Sequence, residues 1–140
     1  MLFLLFLCCS VFSADAEMKI TLHNIREAKG SIYVAVYDRE GSFLSNETAK
    51  MRAQKIAPVT QAGSLDLSLG VLPAGRYALS CFHDVNGNGK LDTDWVGIPT
   101  EPYGFSNNAR PKFRAPRWSE SVFEWSGAAT AIPAIRLEKW

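Results

Sequence analysis

The chain has 140 residues with 15 basic and 14 acidic side chains, which gives a formal net charge of +1 at neutral pH. This near-balance argues against a nucleic-acid-binding domain and against strong attraction of the whole chain to a membrane. Hydrophobic residues make up 47% of the chain, enough for the core of one domain at this length.

The first residues form an apolar run that predicts a removable targeting segment. Residues 2–7 are unbroken Leu and Phe, too short a run for a permanent span, which needs about 20 apolar residues. The run is followed by Ala14-Asp15-Ala16, a small-x-small pattern typical of signal peptidase sites, although no basic residue precedes it. We therefore expect a signal peptide over residues 1–16 and a periplasmic or secreted protein without a transmembrane segment after cleavage.

Residues 17–140 then form one predicted domain with 15 basic and 13 acidic residues, a net charge of +2. Its single cysteine, Cys81, allows no intrachain disulfide, so stability must come from a hydrophobic core, with a metal ion as the one further source considered.

Alternating apolar and polar residues predict strands along most of this domain. The clearest apolar sets are Met18, Ile20 and Leu22; Ile32, Val34 and Val36; and Leu65, Leu67 and Leu69. Further extended segments cover residues 77–83, 122–125 and 134–137. Only Asn46–Gln54 favours a helix, and a strand continuing into Ile56 is the alternative. About seven short strands predict an all-β fold, an antiparallel Ig-like β-sandwich.

One long loop interrupts this pattern between residues 84 and 119. It contains four glycines and four prolines, and about 35 residues without periodicity are unusual inside a compact domain. Its aromatic residues argue against disorder, since disordered segments are poor in aromatics. Something must therefore organise the loop.

The start of this loop has the spacing of a calcium-binding loop of EF-hand type. Oxygen-bearing side chains fall at relative positions 1, 3, 5 and 9, and Gly89 at position 6 permits the sharp turn. The candidate Ca²⁺ ligands are Asp84, Asn86, Asn88, Lys90 through its main-chain carbonyl, Asp92 and Asp94. Position 12 is Trp95 instead of a bidentate Glu, so we expect weak binding, roughly 10⁻⁴ to 10⁻³ M. The alternative is a plain Asn-Gly hairpin turn.

Several of these segments resemble one uncharacterised bacterial family. They are residues 83–92, followed by Gly97-Ile98-Pro99, residues 101–108 and, earlier, residues 72–78. Together they are similar to the signature of domain of unknown function 2141. The resemblance implies an exported protein with no established activity. Its Leu-Pro-x-Gly-x-Tyr element is similar to that of transthyretin-like and carboxypeptidase-regulatory-like sandwiches, which implies a prealbumin-like fold.

The second half of the loop is the candidate recognition surface. Its residues are Trp95, Glu101, Tyr103, Phe105, Asn107, Asn108 and Arg110. The rings could stack on a sugar while amides hydrogen-bond to it, or the same aromatics could form a satellite core under the loop. The four cations of residues 110–117 could bind an anionic partner, such as a polysaccharide, a lipid headgroup or an acidic peptide, or pair with Glu120, Glu124 or the loop aspartates.

Catalytic residues are scarce. Cys81 and His83 alternate onto one face of a strand, which allows a nucleophile pair or a soft copper site, but a lone cysteine is more often a buried small hydrophobe. We therefore predict a binding or structural module, not an enzyme, in which Ca²⁺ rigidifies a surface for a polysaccharide, a peptide or an envelope protein. A small periplasmic hydrolase of transthyretin-like type and a structural subunit of an envelope assembly are the alternatives.

Overall fold

The computed structural model describes residues 15–140, and within them strands account for almost all regular structure. The strands are β1 (Glu17–Ile25), β2 (Ser31–Tyr37), β3 (Ala53–Pro58), β4 (Gly63–Val71), β5 (Gly75–Asp84), β6 (Tyr103–Phe105), β7 (Phe123–Trp125) and β8 (Ile135–Arg136). One helical turn, α1, spans Trp118–Ser121, and 3-10 turns cover Glu40–Ser42, Thr48–Lys50 and Ser106–Asn108. The predicted all-β fold is confirmed. Most of the predicted signal peptide, residues 1–14, lies outside the described residues.

The strands form two sheets that pack face to face. The first sheet has the order β4-β1-β8, and the second has the order β3-β2-β5-β6, with β7 pairing to the beginning of β5. Every pair is antiparallel except β1 with β8, where Leu22 lies opposite Ile135 in a parallel register. The predicted antiparallel sandwich is therefore correct apart from this one parallel pair.

The core lies between the sheets and follows from period-two alternation. The inward apolar positions of β1 and β2 are each at most 2% exposed, and burial of one such side chain contributes about 1.5–3 kcal/mol. Those positions are Met18, Ile20, Leu22, Ile32, Val34 and Val36. The alternation read from the sequence thus assigns the correct faces of both strands.

The helix predicted over Asn46–Gln54 is wrong. The structure has one 3-10 turn at Thr48–Lys50, and β3 begins at Ala53. Pairing of β3 with β2, from Ser31 opposite Pro58 to Val36 opposite Ala53, satisfies the backbone of this segment in the sheet. A short isolated helix would have no comparable tertiary support.

The long loop also contains structure that its sequence does not predict. The three residues of β6 pair with Ser80, Cys81 and Phe82 of β5. At the centre of β6, a Cβ on Gly104 would lie 2.8 Å from Ile135 Cγ2 and from the Arg136 carbonyl oxygen. Glycine therefore allows β6 to approach β8 of the other sheet.

Within residues 15–140, no helix has the length and apolar character needed to cross a membrane.

Candidate functional site

The loop after β5 is wrapped around a buried carboxylate. Asp84 is 1% exposed, and its two carboxylate oxygens accept hydrogen bonds from the main-chain N–H groups of Asn88 (3.2 Å) and Gly89 (2.8 Å). Gly87 and Gly89 have φ values of 73° and 80°, in the left-handed region that favours glycine. The turn glycines of the predicted calcium-type loop are thus explained by the backbone path.

The other oxygen-bearing side chains of the loop meet at Asp92. Its carboxylate accepts hydrogen bonds from Asn86 Nδ2 (2.6 Å) and Asn88 Nδ2 (2.7 Å). The Lys90 main-chain N–H donates to the side-chain oxygen of Asn88 at 3.1 Å. The structure therefore brings together the side chains predicted at positions 1, 3, 5 and 9, with Asn88 linking Asp84 to Asp92.

Asp94 does not join this set. Its Oδ1 accepts hydrogen bonds from the main-chain N–H groups of Val96 (3.0 Å) and Ile98 (2.9 Å), so it organises the next turn of the chain. No group of three or more His, Cys, Asp or Glu residues that could hold a metal ion occurs in residues 15–140. A cation in the loop would have to rely on two aspartates, two asparagine amides and a carbonyl, and Ca²⁺ binding remains a prediction.

Glu101 lies beneath the loop instead of on its surface. It is 6% exposed, and its two carboxylate oxygens accept hydrogen bonds from the N–H groups of Val85 and Asp92, each at 3.0 Å. These donors stand near the start and the end of the loop. The Glu101 carboxylate thus joins the two ends of the segment.

The two asparagines of the candidate surface are also occupied by the protein backbone. Asn107 donates to the carbonyl of Val122 at 2.9 Å, and Asn108 exchanges hydrogen bonds with the Ala134 carbonyl and the Arg136 N–H, both at 2.9 Å. Both residues have left-handed φ values, near 60° and 50°. Their amides tie the chain after β6 to the segments before β7 and within β8.

Tyr103 and Phe105 belong to a wider aromatic face on the outside of the second sheet. The strand register places Phe82 beside Tyr103, and Tyr33 beside Phe82. The Tyr33 and Phe82 rings stack at 4.9 Å with an interplanar angle of 7°, and the Tyr103 and Phe105 rings meet edge to face at 5.8 Å. Tyr33 and Phe82 are not among the predicted surface residues, although both alternate with core residues and must face outward.

Small residues beside these rings leave a groove. Ala35 lies opposite Ser80 in the next row of the sheet, and the resulting aromatic groove has a volume of about 720 Å³. Besides the rings, it is lined by polar groups from Asn46, Thr48 and Gln54 and by Lys90 and Leu91 of the loop.

The calcium-type loop touches this groove at one glycine. Gly89, held by the Asp84 carboxylate, lies so close to Tyr33 that a Cβ on the glycine would be 3.7 Å from the Tyr33 hydroxyl oxygen. The loop therefore forms one rim of the aromatic groove.

Comparison with known families identifies the family of this chain. Residues 20–133 match a family described as an uncharacterized protein conserved in bacteria (DUF2141). The chain belongs to the DUF2141 family. This confirms the resemblance seen in the loop signature. No curated protein and no solved structure matches the chain, and the transthyretin-like detail remains a prediction.

Arg110 of this DUF2141 protein anchors the far side of the loop. Its guanidinium lies 4.4 Å from the centre of the Tyr103 ring and donates to the Tyr103 carbonyl at 2.6 Å. It also lies 3.7 Å from a Glu138 carboxylate oxygen. This predicted surface residue therefore fixes Tyr103 against the segment after β8.

Arg114 and Glu120 form a bidentate ion pair in the basic segment, with N–O distances of 2.7 and 2.8 Å. The hydrogen bonds from Arg114, together with the Arg117 N–H, lower the pKa of Glu120 to about 2. For Arg114, the structure therefore shows pairing with Glu120, which was one of the two predictions for the basic segment.

Cys81 and His83 each hydrogen-bond to a main-chain carbonyl. Burial raises the pKa of the Cys81 thiol to about 12, and its Sγ–H group donates to the Gly104 carbonyl at 3.4 Å. His83 is buried, and its Nε2 donates to the Lys29 carbonyl at 2.7 Å. This thiol is protonated near neutral pH, so it lacks the thiolate that nucleophilic chemistry needs.

Proposed function

We propose that this DUF2141 protein is an exported, non-enzymatic binding module that holds its ligand in the aromatic groove. One observation carries the proposal. The buried Asp84 carboxylate fixes Gly89, and Gly89 packs beside the Tyr33 hydroxyl at the groove rim. A rim held in place before binding lowers the entropy cost of ordering it around a ligand.

The lining of the groove favours a polysaccharide segment as that ligand. Tyr33, Phe82, Tyr103 and Phe105 offer ring faces and edges for the apolar faces of sugars. Hydroxyl and amide groups of Tyr33, Asn46, Thr48, Gln54 and Ser80 surround them and suit sugar hydroxyls. A peptide or an envelope protein is the alternative ligand.

Weak Ca²⁺ binding by the loop is part of the proposal. The convergence of Asp84, Asn86, Asn88 and Asp92 supports it. The two asparagine amides donate to Asp92, so a cation would require them to turn their oxygens toward it. The proposed setting is the periplasm or the cell exterior, supported by the leader-like sequence of residues 1–16.

Titration with soluble oligosaccharides, followed by NMR, tests the groove. With neutral hexose oligomers, we expect shifts concentrated at the amides of Ala35 and Ser80. Replacement of Phe82 by alanine should weaken binding about two- to tenfold, because an aromatic stacking contact is worth about 0.5–1.5 kcal/mol. Trp95→Ala removes an aromatic ring that does not line the groove and should leave binding unchanged. Shifts that cluster around Trp95 instead would contradict the assignment.

Thermal unfolding in EDTA and then in 5 mM Ca²⁺ tests the loop. A dissociation constant of 10⁻⁴ to 10⁻³ M corresponds to about 1–2 kcal/mol of added stability at this concentration. Asp92→Asn should abolish the gain, whereas Asp94→Asn should retain it because Asp94 serves the neighbouring turn. An equal gain in both variants and the wild type, or none in any, would remove Ca²⁺ from the proposal.

A further inference from the structure

Four large apolar side chains are exposed: three line one groove, and the fourth, Trp95, directly precedes one of them in the chain. Trp95 is 95% exposed and Phe113 is 87% exposed, and Val96 and Trp140 are each at least half exposed. Val96, Phe113 and Trp140 line a single groove of about 440 Å³, and the Phe113 and Trp140 rings are 5.9 Å apart. We call these four residues the apolar edge. Apolar groups clustered at a surface in this way mark an interaction site.

The backbone holds the two most exposed rings in ordered turns. The Asp94 carbonyl accepts a hydrogen bond from Gly97 N–H at 3.0 Å, and Asp94 N–H donates to the Ile98 carbonyl at 2.8 Å. With the two bonds to the Asp94 carboxylate, the turn carrying Trp95 is closed by four hydrogen bonds. Phe113 has a φ of 63°, a costly conformation for a bulky residue. The chain thus keeps the Phe113 ring in solvent at an energetic cost.

Positive charge lies beside Phe113 and Trp140 in the chain, whereas Asp94 directly precedes Trp95. Residues 109–119 contain four basic residues and no acidic residue, and Lys139 directly precedes Trp140. Arg110 and Arg114 are matched by Glu138 and Glu120. Lys112 and Lys139 form none of the ion pairs found within residues 15–140, and both are exposed. Lys112 and Lys139 therefore flank Phe113 and Trp140 in the chain without a direct ion pair, and Lys139 also lines a groove that contains Glu27 and Glu138.

We propose that the apolar edge docks this protein on the surface of an anionic phospholipid bilayer. Tryptophan and phenylalanine favour the headgroup region of a bilayer, and lysines interact with lipid phosphates while their stems remain apolar. A protein partner fits less well, because lysine is depleted from protein interfaces. The overall charge of +1 predicts little attraction of the whole chain to the bilayer. Each lysine acts locally, however, and should raise the affinity for anionic lipid about fivefold. The proposal does not depend on what the aromatic groove binds.

Vesicle sedimentation tests the proposal with the full-length chain. The apolar run at residues 2–7 is replaced by serines in every protein, so that this run does not insert into the vesicles. Vesicles of 30% phosphatidylglycerol in phosphatidylcholine are compared with pure phosphatidylcholine. We expect the wild-type edge to bind the anionic vesicles at least tenfold more tightly, with the difference falling as salt increases.

Two double variants and two controls locate the interaction. Trp95→Ser with Phe113→Ser, and separately Lys112→Glu with Lys139→Glu, should each raise the half-saturating lipid concentration at least tenfold.

Val71→Ser, an exposed apolar residue on β4, and Lys19→Glu with Lys55→Glu, exposed on other strands, should change that concentration less than twofold. Equal binding to both vesicle types, no binding to either, or controls that lose as much as the edge variants would overturn the proposal. The side chains substituted in the edge variants and in the controls are exposed, and unchanged thermal midpoints verify that each variant is folded.

Discussion

Replacement of Glu101 by glutamine removes one of the two carboxylate oxygens that join the ends of the loop. In the wild type, those oxygens accept the N–H groups of Val85 and Asp92 at 3.0 Å each. Glutamine keeps one acceptor and turns an NH₂ group toward the other donor. Since a hydrogen bond to a charged group contributes about 1.5–3 kcal/mol, we expect a loss of about 2 kcal/mol for glutamine. Alanine removes both bonds and should cost about 4 kcal/mol.

Urea unfolding measures the loss of stability, and amide hydrogen exchange shows whether that loss begins at the two ends of the loop. The loss of about 2 kcal/mol corresponds to a fall of about 8 °C in the thermal midpoint for a domain of this size. Exchange should accelerate first at Val85 and Asp92, because these N–H groups lose their acceptor.

Glu27→Gln is the matched control, since Glu27 is exposed and makes no hydrogen bond or ion pair within the described residues. If Glu101→Gln were within 0.5 kcal/mol of this control, the carboxylate would not hold the loop closed.

Three further predictions concern other parts of the domain. Gly30→Ala should lower the free energy of unfolding in urea by more than about 2 kcal/mol. At this position φ is 69°, and the added Cβ would lie 2.0 Å from the Asp84 carbonyl oxygen at the end of β5. Gly41→Ala, where a Cβ contacts nothing within 4 Å, should change the free energy of unfolding little. Arg114 lowers the pKa of Glu120 in the folded state, so the pair stabilises the fold above the unfolded carboxyl's pKa of 4.5, and that contribution is lost as pH falls toward about 2. Thermal midpoints of Glu120→Gln should therefore lie below wild type near neutral pH and converge with it by about pH 2; a constant difference would contradict this. Cys81, with its pKa raised to about 12, should resist iodoacetamide at pH 8 in the folded protein and react after unfolding in urea, as followed by mass spectrometry of its peptide.

The longer strands could be predicted because their sequences alternate. Ile32, Val34 and Val36 are all buried, as period two requires. The short strand β6 could not be predicted, since three residues around Gly104 carry no period, and its position depends on the approach of β8. The helix predicted over Asn46–Gln54 was wrong because pairing with β2 overrides local preference.

The candidate site could be predicted only where its contacts are local in sequence. The spacing of Asp84, Asn86, Asn88 and Asp92 is local, so the sequence could indicate their convergence. The role of Glu101 is non-local: it depends on two N–H groups, 16 and 9 positions earlier, that the fold brings to one point. The aromatic face joins strands distant in sequence, which local spacing cannot show, although the outward alternation of β2 and β5 was a usable signal.

The parallel pairing of β1 with β8 has a kinetic consequence. A hydrogen bond from Asn24 to the Leu137 carbonyl spans 113 positions of the chain, next to that pairing. Closing so large a segment is entropically costly, and folds dominated by such distant contacts form slowly, in milliseconds to seconds. Until β8 arrives, one edge of β1 has open N–H and C=O groups that another chain could pair with. Refolding yield should therefore fall as protein concentration rises. For the export that we propose, slow completion of the first sheet would leave the chain unfolded long enough to be threaded through a translocation channel.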